Sequence, residues 1–198
     1  NAGIPNVRTV AQGQSIQAAL DAAVAGDLIL VQPGTYYEKV IMTKPVKLQG
    51  FGAGSTHIIA SQSLTTLLNT WREKMNFLVN CPAALGGGQI TLLPLQPNNT
   101  PVGLGGTGIC GFVPGTGLFL VDEGAGIFVA SKDGVFTSQQ PGRIDGFAIA
   151  GSATSPGIVV NGYARYLEIS NNQVANNQGT YGGGIRLGDP TIMAGAQN

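Results

Sequence analysis

Short apolar runs punctuated by Gly, Pro and Ser set the pattern of this chain. The run "LILV" (28–31) stops at Pro33 and Gly34, and the pattern restarts through an aromatic-acidic segment into "KVIM" (39–42), "VKLQG" (46–50) and "HIIAS" (57–61). Each reads as a short strand closed by a turn residue. No Asn-Gly or Asp-Gly hairpin turn separates these runs, so the chain is expected to turn corners and wind onward rather than double back.

Two segments switch to helical period. In "SIQAALDAAVA" (15–25), Ile16, Ala19, Leu20 and Ala23 share one face. Ser15 is placed to cap the N-terminus, and Gly26 to take the left-handed position after the last turn. A helix just ahead of the first strand would cover the open end of a strand stack. In "LTTLLNTWREKMNFLV" (64–79), Leu64, Leu67, Leu68, Trp71, Met75 and Leu78 form one apolar stripe, with Ser63 as cap. That stripe predicts packing against the body rather than a groove for a partner. Residues 82–117 hold ten glycines and five prolines, which leaves little room for regular structure outside "QITLL" (89–93). Order resumes at "LFLV" (118–121) and "GIFVA" (126–130).

The last third repeats itself. "GIFV" (126–129), "GIVV" (157–160) and "GIRL" (184–187) follow one another at offsets of 31 and 27, while "IDGFAI" (144–149) and "ISNNQV" (169–174) are offset by 25. Strand length stays fixed and corner length varies. Alternation sends Ile185 and Leu187 to one face and Arg186 to the other, and likewise Leu167 and Ile169 against Glu168. A three-residue strand cannot stand alone. Stacked in parallel on its own repeats it buries its aliphatics coil on coil. The asparagines of "ISNNQVANNQ" suit bends, because Asn tolerates the left-handed conformation, and stacked turns would align them as a ladder.

Composition narrows the class. Only 10% of residues are charged, against roughly a quarter in an average domain, and 31 of 198 are Gly, which favours a turn-rich all-β chain. Net charge is zero, which argues against a nucleic-acid footprint, and no apolar run is long enough to span a membrane. The N-terminus lacks a charged-then-apolar leader pattern, fitting a mature form and an excised piece alike. Cys81 and Cys110 are either two buried thiols or one disulfide pinning the long loop, the latter implying an oxidising compartment. A single histidine, His57, excludes a Cys/His zinc centre of the usual kind and reads as structural. "GFGAGST" (50–56) lacks the Lys and helix of a phosphate loop, and "GGG" (182–184) reads as a corner.

The segment "SIQAALDAAVAGDLILVQPGTYYEKVIMTKPVKLQGFGAGSTHI" (15–58) resembles the N-terminal part of pectin-lyase-like right-handed parallel β-helix proteins. The block from "IDGFAIAG" through "GGGIRLGD" resembles the repeats of the same superfamily, in particular those of large bacterial secreted or surface proteins. The resemblance implies one all-β domain over 1–198, a right-handed parallel β-helix with a short N-terminal capping helix and one helical and loop insertion at about 62–124. It places Tyr36 and Glu38 on the strand after the Pro33–Gly34 corner. It also implies an extracellular or cell-surface location.

The chemistry of that superfamily finds few matches. Gly34, Tyr36 and Glu38 fit the "GxYxE" stretch of pectin methylesterases, yet the esterase aspartate motifs are missing. Lyases need a Lys or Arg base and often Ca2+ on clustered carboxylates; the six Asp and four Glu here are dispersed. Glycoside hydrolases need two facing carboxylates. Asp145 and Glu168, projecting from neighbouring coils near Arg165 and Arg186, with Tyr181 to stack on a sugar ring, make the candidate carbohydrate-contact face; a solvated surface and turn packing are the plain alternatives. Tyr163 and Tyr166 are read in the same two ways. The expectation is a non-catalytic module with a structural, adhesive or carbohydrate-contacting role, without cofactor or metal, with a polysaccharide lyase as the alternative and Ca2+ entering only there. After "GIRL" nothing resembles a cap, so further coils of the same polypeptide or another chain are expected at that end.

Overall fold

The computed structural model describes residues 5–61, 65–91 and 124–188. The strands are β1 Val7–Val10, β2 Leu28–Val31, β3 Gly34–Tyr36, β4 Val40–Met42, β5 Lys47–Gln49, β6 Thr56–Ile59, β7 Ile127–Val129, β8 Gly142–Asp145, β9 Ala148–Ala150, β10 Ile158–Val160, β11 Leu167–Ser170, β12 Gln173–Val174 and β13 Ile185–Leu187. The helices are α1 Ile16–Ala22 and α2 Thr65–Asn80.

These strands form three sheets, ordered β1-β2-β5-β8-β11, β3-β6-β9-β12 and β4-β7-β10-β13. Every pairing among them is parallel. Pro33 and Gly34 lie where the chain leaves the first sheet at β2 and enters the second at β3. There Gly34 adopts φ +152°, and an added Cβ would press on the side chain of Gln12 at 3.1 Å. Inward residues of all three sheets meet in one core: Ile29, Leu48 and Ile144 from the first, Tyr36, Ile58 and Ile149 from the second, Met42, Ile127 and Ile158 from the third.

The expected fold class, an all-β right-handed parallel β-helix with a short N-terminal capping helix and one helical and loop insertion, is corrected. The described residues form three parallel sheets of four or five strands with two helices in an α/β-like arrangement, and no closed solenoid is found among them. The physical reason lies in the third sheet. Its outward residues Ile41, Phe128 and Val159 are buried beneath Trp71, Met75 and Leu78 of α2. Trp71 meets Phe128 edge-to-face at 5.6 Å. A parallel sheet covered on both faces carries aliphatics on both faces, and "VIM", "IFV" and "IVV" are apolar at all three positions. Among the described residues the outer face of the first sheet joins no second buried cluster, and its strands β5, β8 and β11 alternate polar with aliphatic.

Helix α1 begins where Ser15 caps Ala18 N–H. Its Ile16 and Leu20 enter the shared core beside Val10 and Ile29. Glu38, expected on a strand, lies outside β3 instead and accepts from the N–H groups of Ile16 and Gln17 and from the Ser15 hydroxyl. Gln17 extends the cap sideways. Its Nε2 donates to Ile41 O at 3.1 Å, and Ile41 N–H donates to its Oε1 at 2.7 Å, so one amide side chain mimics a neighbouring strand along β4. Lys44 Nζ donates to the carbonyls of Leu20, Asp21 and Ala23 at the other end of the helix.

Asn171 and Asn176 take the left-handed conformation at φ 54° and 55°, as the bend reading anticipates. Their neighbours do different work from an amide ladder. Asn172 bridges Phe147 N–H and Ile144 O, and Asn177 bridges Ser152 N–H and Ile149 O, stitching each corner to the preceding turn of chain. Ser63, Leu64, the run 118–121, Leu92 and Leu93 of "QITLL" and Cys110 lie outside the described residues, and the described part of that run, Gln89 to Thr91, forms no strand. Cys81 is disulfide-bonded.

Candidate functional site

Three tripeptides of the first sheet share one plan: polar, aliphatic, polar. They are Lys47-Leu48-Gln49, Arg143-Ile144-Asp145 and Glu168-Ile169-Ser170. Strand register stacks them, so Lys47, Arg143 and Glu168 form one outward column and Gln49, Asp145 and Ser170 the other. The aliphatic between each pair points into the core. The result is a polar ledge held at strand spacing on a rigid backbone.

Hydrogen bonds tie the ledge together. Ser170 Oγ donates toward Asp145 Oδ1 at 3.2 Å and lies 3.0 Å from Glu168 Oε1, so one hydroxyl sits between the two carboxylates. Asn171 Nδ2 donates to the same Asp145 oxygen at 2.7 Å. Arg143 donates an η-nitrogen to Gln49 Oε1. The structure thus brings Asp145 and Glu168 onto one face, and adds Gln49, Arg143, Ser170 and Asn171, which the sequence reading passed over. Part of their signal was available: Arg143 and Ser170 flank Ile144 and Ile169, which the repeat identified, and Gln49 flanks Leu48 of the run "VKLQG".

The other three candidates stand apart. Arg186 is in register with Val159 on the outward column of the third sheet. Arg165 is exposed in the connection between β10 and β11, and Tyr181 is exposed in the turn before β13. Tyr163 and Tyr166 hold φ of 62° and 55°, a costly conformation for a bulky side chain that marks both as corner residues.

A separate cleft of about 600 Å3 runs between α1, α2 and the β3–β4 connection, lined by Gln17, Asp21, Tyr37, Glu38, Trp71 and Lys74 among others. Its polar groups engage one another: Lys74 pairs with Asp21 at 2.5 Å, and Glu38 and Gln17 are committed to the cap. Lys39, beside it, is pulled down to about 8 by burial, and its ammonium donates to Ala60 O and Gly124 O, both at 2.8 Å. These contacts give Lys39 a pinning role. Among the described residues no group of His, Cys, Asp and Glu is arranged to hold a metal ion, and no helix is long and apolar enough to cross a membrane.

No family model, curated protein or solved structure matches the chain, so no comparison identifies a pectin-lyase-like relative.

Proposed function

We propose that the chain is a non-catalytic secreted or cell-surface module, part of a larger protein, that contacts carbohydrate through the polar ledge of its first sheet. The observation that carries this reading is the placement of Asp145 and Glu168 on either side of the Ser170 hydroxyl, beside the Arg143–Gln49 bond. Carboxylates, a primary amide and a guanidinium on one rigid plane offer acceptors and donors to the diols of a sugar. Glycosidic cleavage requires carboxylates that face each other across the scissile bond. Here both stand on outward columns of one sheet, which suits contact rather than cutting. A lyase would need a Lys or Arg base aimed at substrate, and Lys39, the lysine with a markedly depressed pKa, is directed at two carbonyls. The disulfide at Cys81 supports an oxidising compartment.

A glycan array probed with the purified chain tests the reading. Asp145→Ala is expected to weaken any hit by about tenfold or more, the loss of a hydrogen bond to a charged group. An empty array, or hits indifferent to Asp145, would remove the carbohydrate role. Unsaturated-uronide absorbance on pectate, alginate or chondroitin would replace the module by a lyase.

A further inference from the structure

We propose that the cleft between α1, α2 and the β3–β4 connection is a second binding site, fitted to an uncharged sugar ring. The proposal does not rest on the ledge, which belongs to the first sheet.

Three stretches of chain build the cleft, within residues 13–21, 35–41 and 67–74, and its volume of about 600 Å3 falls in the range of small-molecule sites. Alternation supplies its most conspicuous group. Tyr36 ends β3 pointing into the core, where its hydroxyl donates to Gln32 O at 2.8 Å with Val10 O also in reach at 3.2 Å. Tyr37, next in the chain, turns outward and stands 66% exposed on the cleft. A ring so exposed adds little to the core, whereas its flat apolar face and polar tip suit a ligand that is apolar on one side and wet on the other. Ile41, Leu67 and Trp71 give the cleft apolar walls.

Charge decides what kind of ligand fits. Each ionised side chain lining the cleft already has its counterpart within the protein. Asp21 pairs with Lys74. Glu38 accepts from the Ile16 and Gln17 N–H groups and the Ser15 hydroxyl. Lys39 donates to Ala60 O and Gly124 O. A charge brought in by a ligand would meet no uncommitted opposite charge and would lose part of its hydration. The uncommitted polar groups are neutral. The Thr35, Tyr37 and Thr70 hydroxyls and Gln14 Nε2 have no hydrogen-bond partner among the described residues, while Gln14 Oε1 accepts from Ala11 N–H. Hydroxyls that both donate and accept, with one amide donor and one aromatic face, match the hydroxyls and the C–H face of a neutral sugar.

Nuclear magnetic resonance of the isotope-labelled chain tests the site. The probes are the methyl glycosides of glucose, galactose and mannose, with glucuronate and glucosamine as charged counterparts. At least one neutral probe should shift the amides of Thr35, Tyr37 and Thr70 saturably and leave those of Arg143, Asp145 and Glu168 in place. The charged counterparts should bind about tenfold more weakly. Tyr37→Ala should weaken binding by about tenfold, and Tyr37→Phe, which keeps the ring, by no more than about threefold. Circular dichroism checks that each variant folds. Should Tyr37→Ala fail, Thr70→Val provides the second variant, with a loss of about threefold. No saturable shift with any neutral probe, cleft binding indifferent to these substitutions, or charged probes that bind as tightly would each overturn the proposal. Shifts confined to Arg143, Asp145 and Glu168 would overturn it and leave the ledge reading standing. An array hit that shifts the cleft amides alone counts for the cleft and against the ledge.

Discussion

The two ends of the sheets solve the same problem in opposite ways. At one end Ile16 and Leu20 of α1 are withdrawn from solvent, Gln17 occupies the edge of β4, and Asp27 clamps the chain on either side of the helix. At the other end Ile185 and Leu187 continue the same columns into solvent. The difference teaches that a strand stack does not need a strand to close it. A short helix supplies the apolar cover, and an amide side chain supplies the lateral hydrogen bonds.

The sharpest way to break the closed end is through Asp27. It accepts from Asn6 N–H, Asn6 Nδ2, Arg8 Nε and Val24 N–H. Burial alone would raise its pKa, but the hydrogen bonds from Val24, Arg8 and Asn6 together hold it below the usual carboxylate range. Asp27→Asn should cost about 3 kcal/mol in denaturant unfolding at neutral pH, because the charge-assisted hydrogen bonds from Arg8, Asn6 and Val24 are weakened or lost. A depressed folded-state pKa means that this contribution is complete above the unfolded-state value and is lost as pH falls through the folded one. The gap between variant and native chain should therefore shrink in acid; a gap that stays constant with pH would assign the loss to packing alone.

Leu20→Ala comes next, at about 3 kcal/mol, the usual cost of emptying a packed site. Gln17→Ala should cost about 1–2 kcal/mol, leaving the backbone groups of Ile41 without their side-chain partners. Leu187→Ala, at the exposed end, should change unfolding of the dilute chain by no more than about 0.5 kcal/mol. Comparable losses for Leu20→Ala and Leu187→Ala would erase the contrast between the ends.

Much of this was legible from period alone. The strands carrying an inward aliphatic every second residue, the capped helix after Ser15 and the stripe from Leu67 to Leu78 follow from spacing. β1 was passed over because Arg8 occupies an inward position, in register with Ile29, where alternation calls for an aliphatic; its charge is answered by Asp27 at 3.0 Å. Glu38 was misplaced because a local motif cannot reveal that a carboxylate reaches back 22 residues to Ile16. The α/β-like layering was written in the uniformly apolar "VIM", "IFV" and "IVV", but those runs say that a face is covered without saying by what. For the ledge, the sequence supplied Asp145 and Glu168, and register supplied Gln49, Arg143 and Ser170. Arg186 was grouped with them by chain proximity, although its strand belongs to a different sheet.

The chain's single tryptophan stands at the seam between helix and sheet, its ring against Phe128. Its fluorescence is therefore a built-in reporter for one event, the detachment of α2. A red shift that precedes the loss of the far-ultraviolet β signal would time that detachment separately from the melting of the strands beneath.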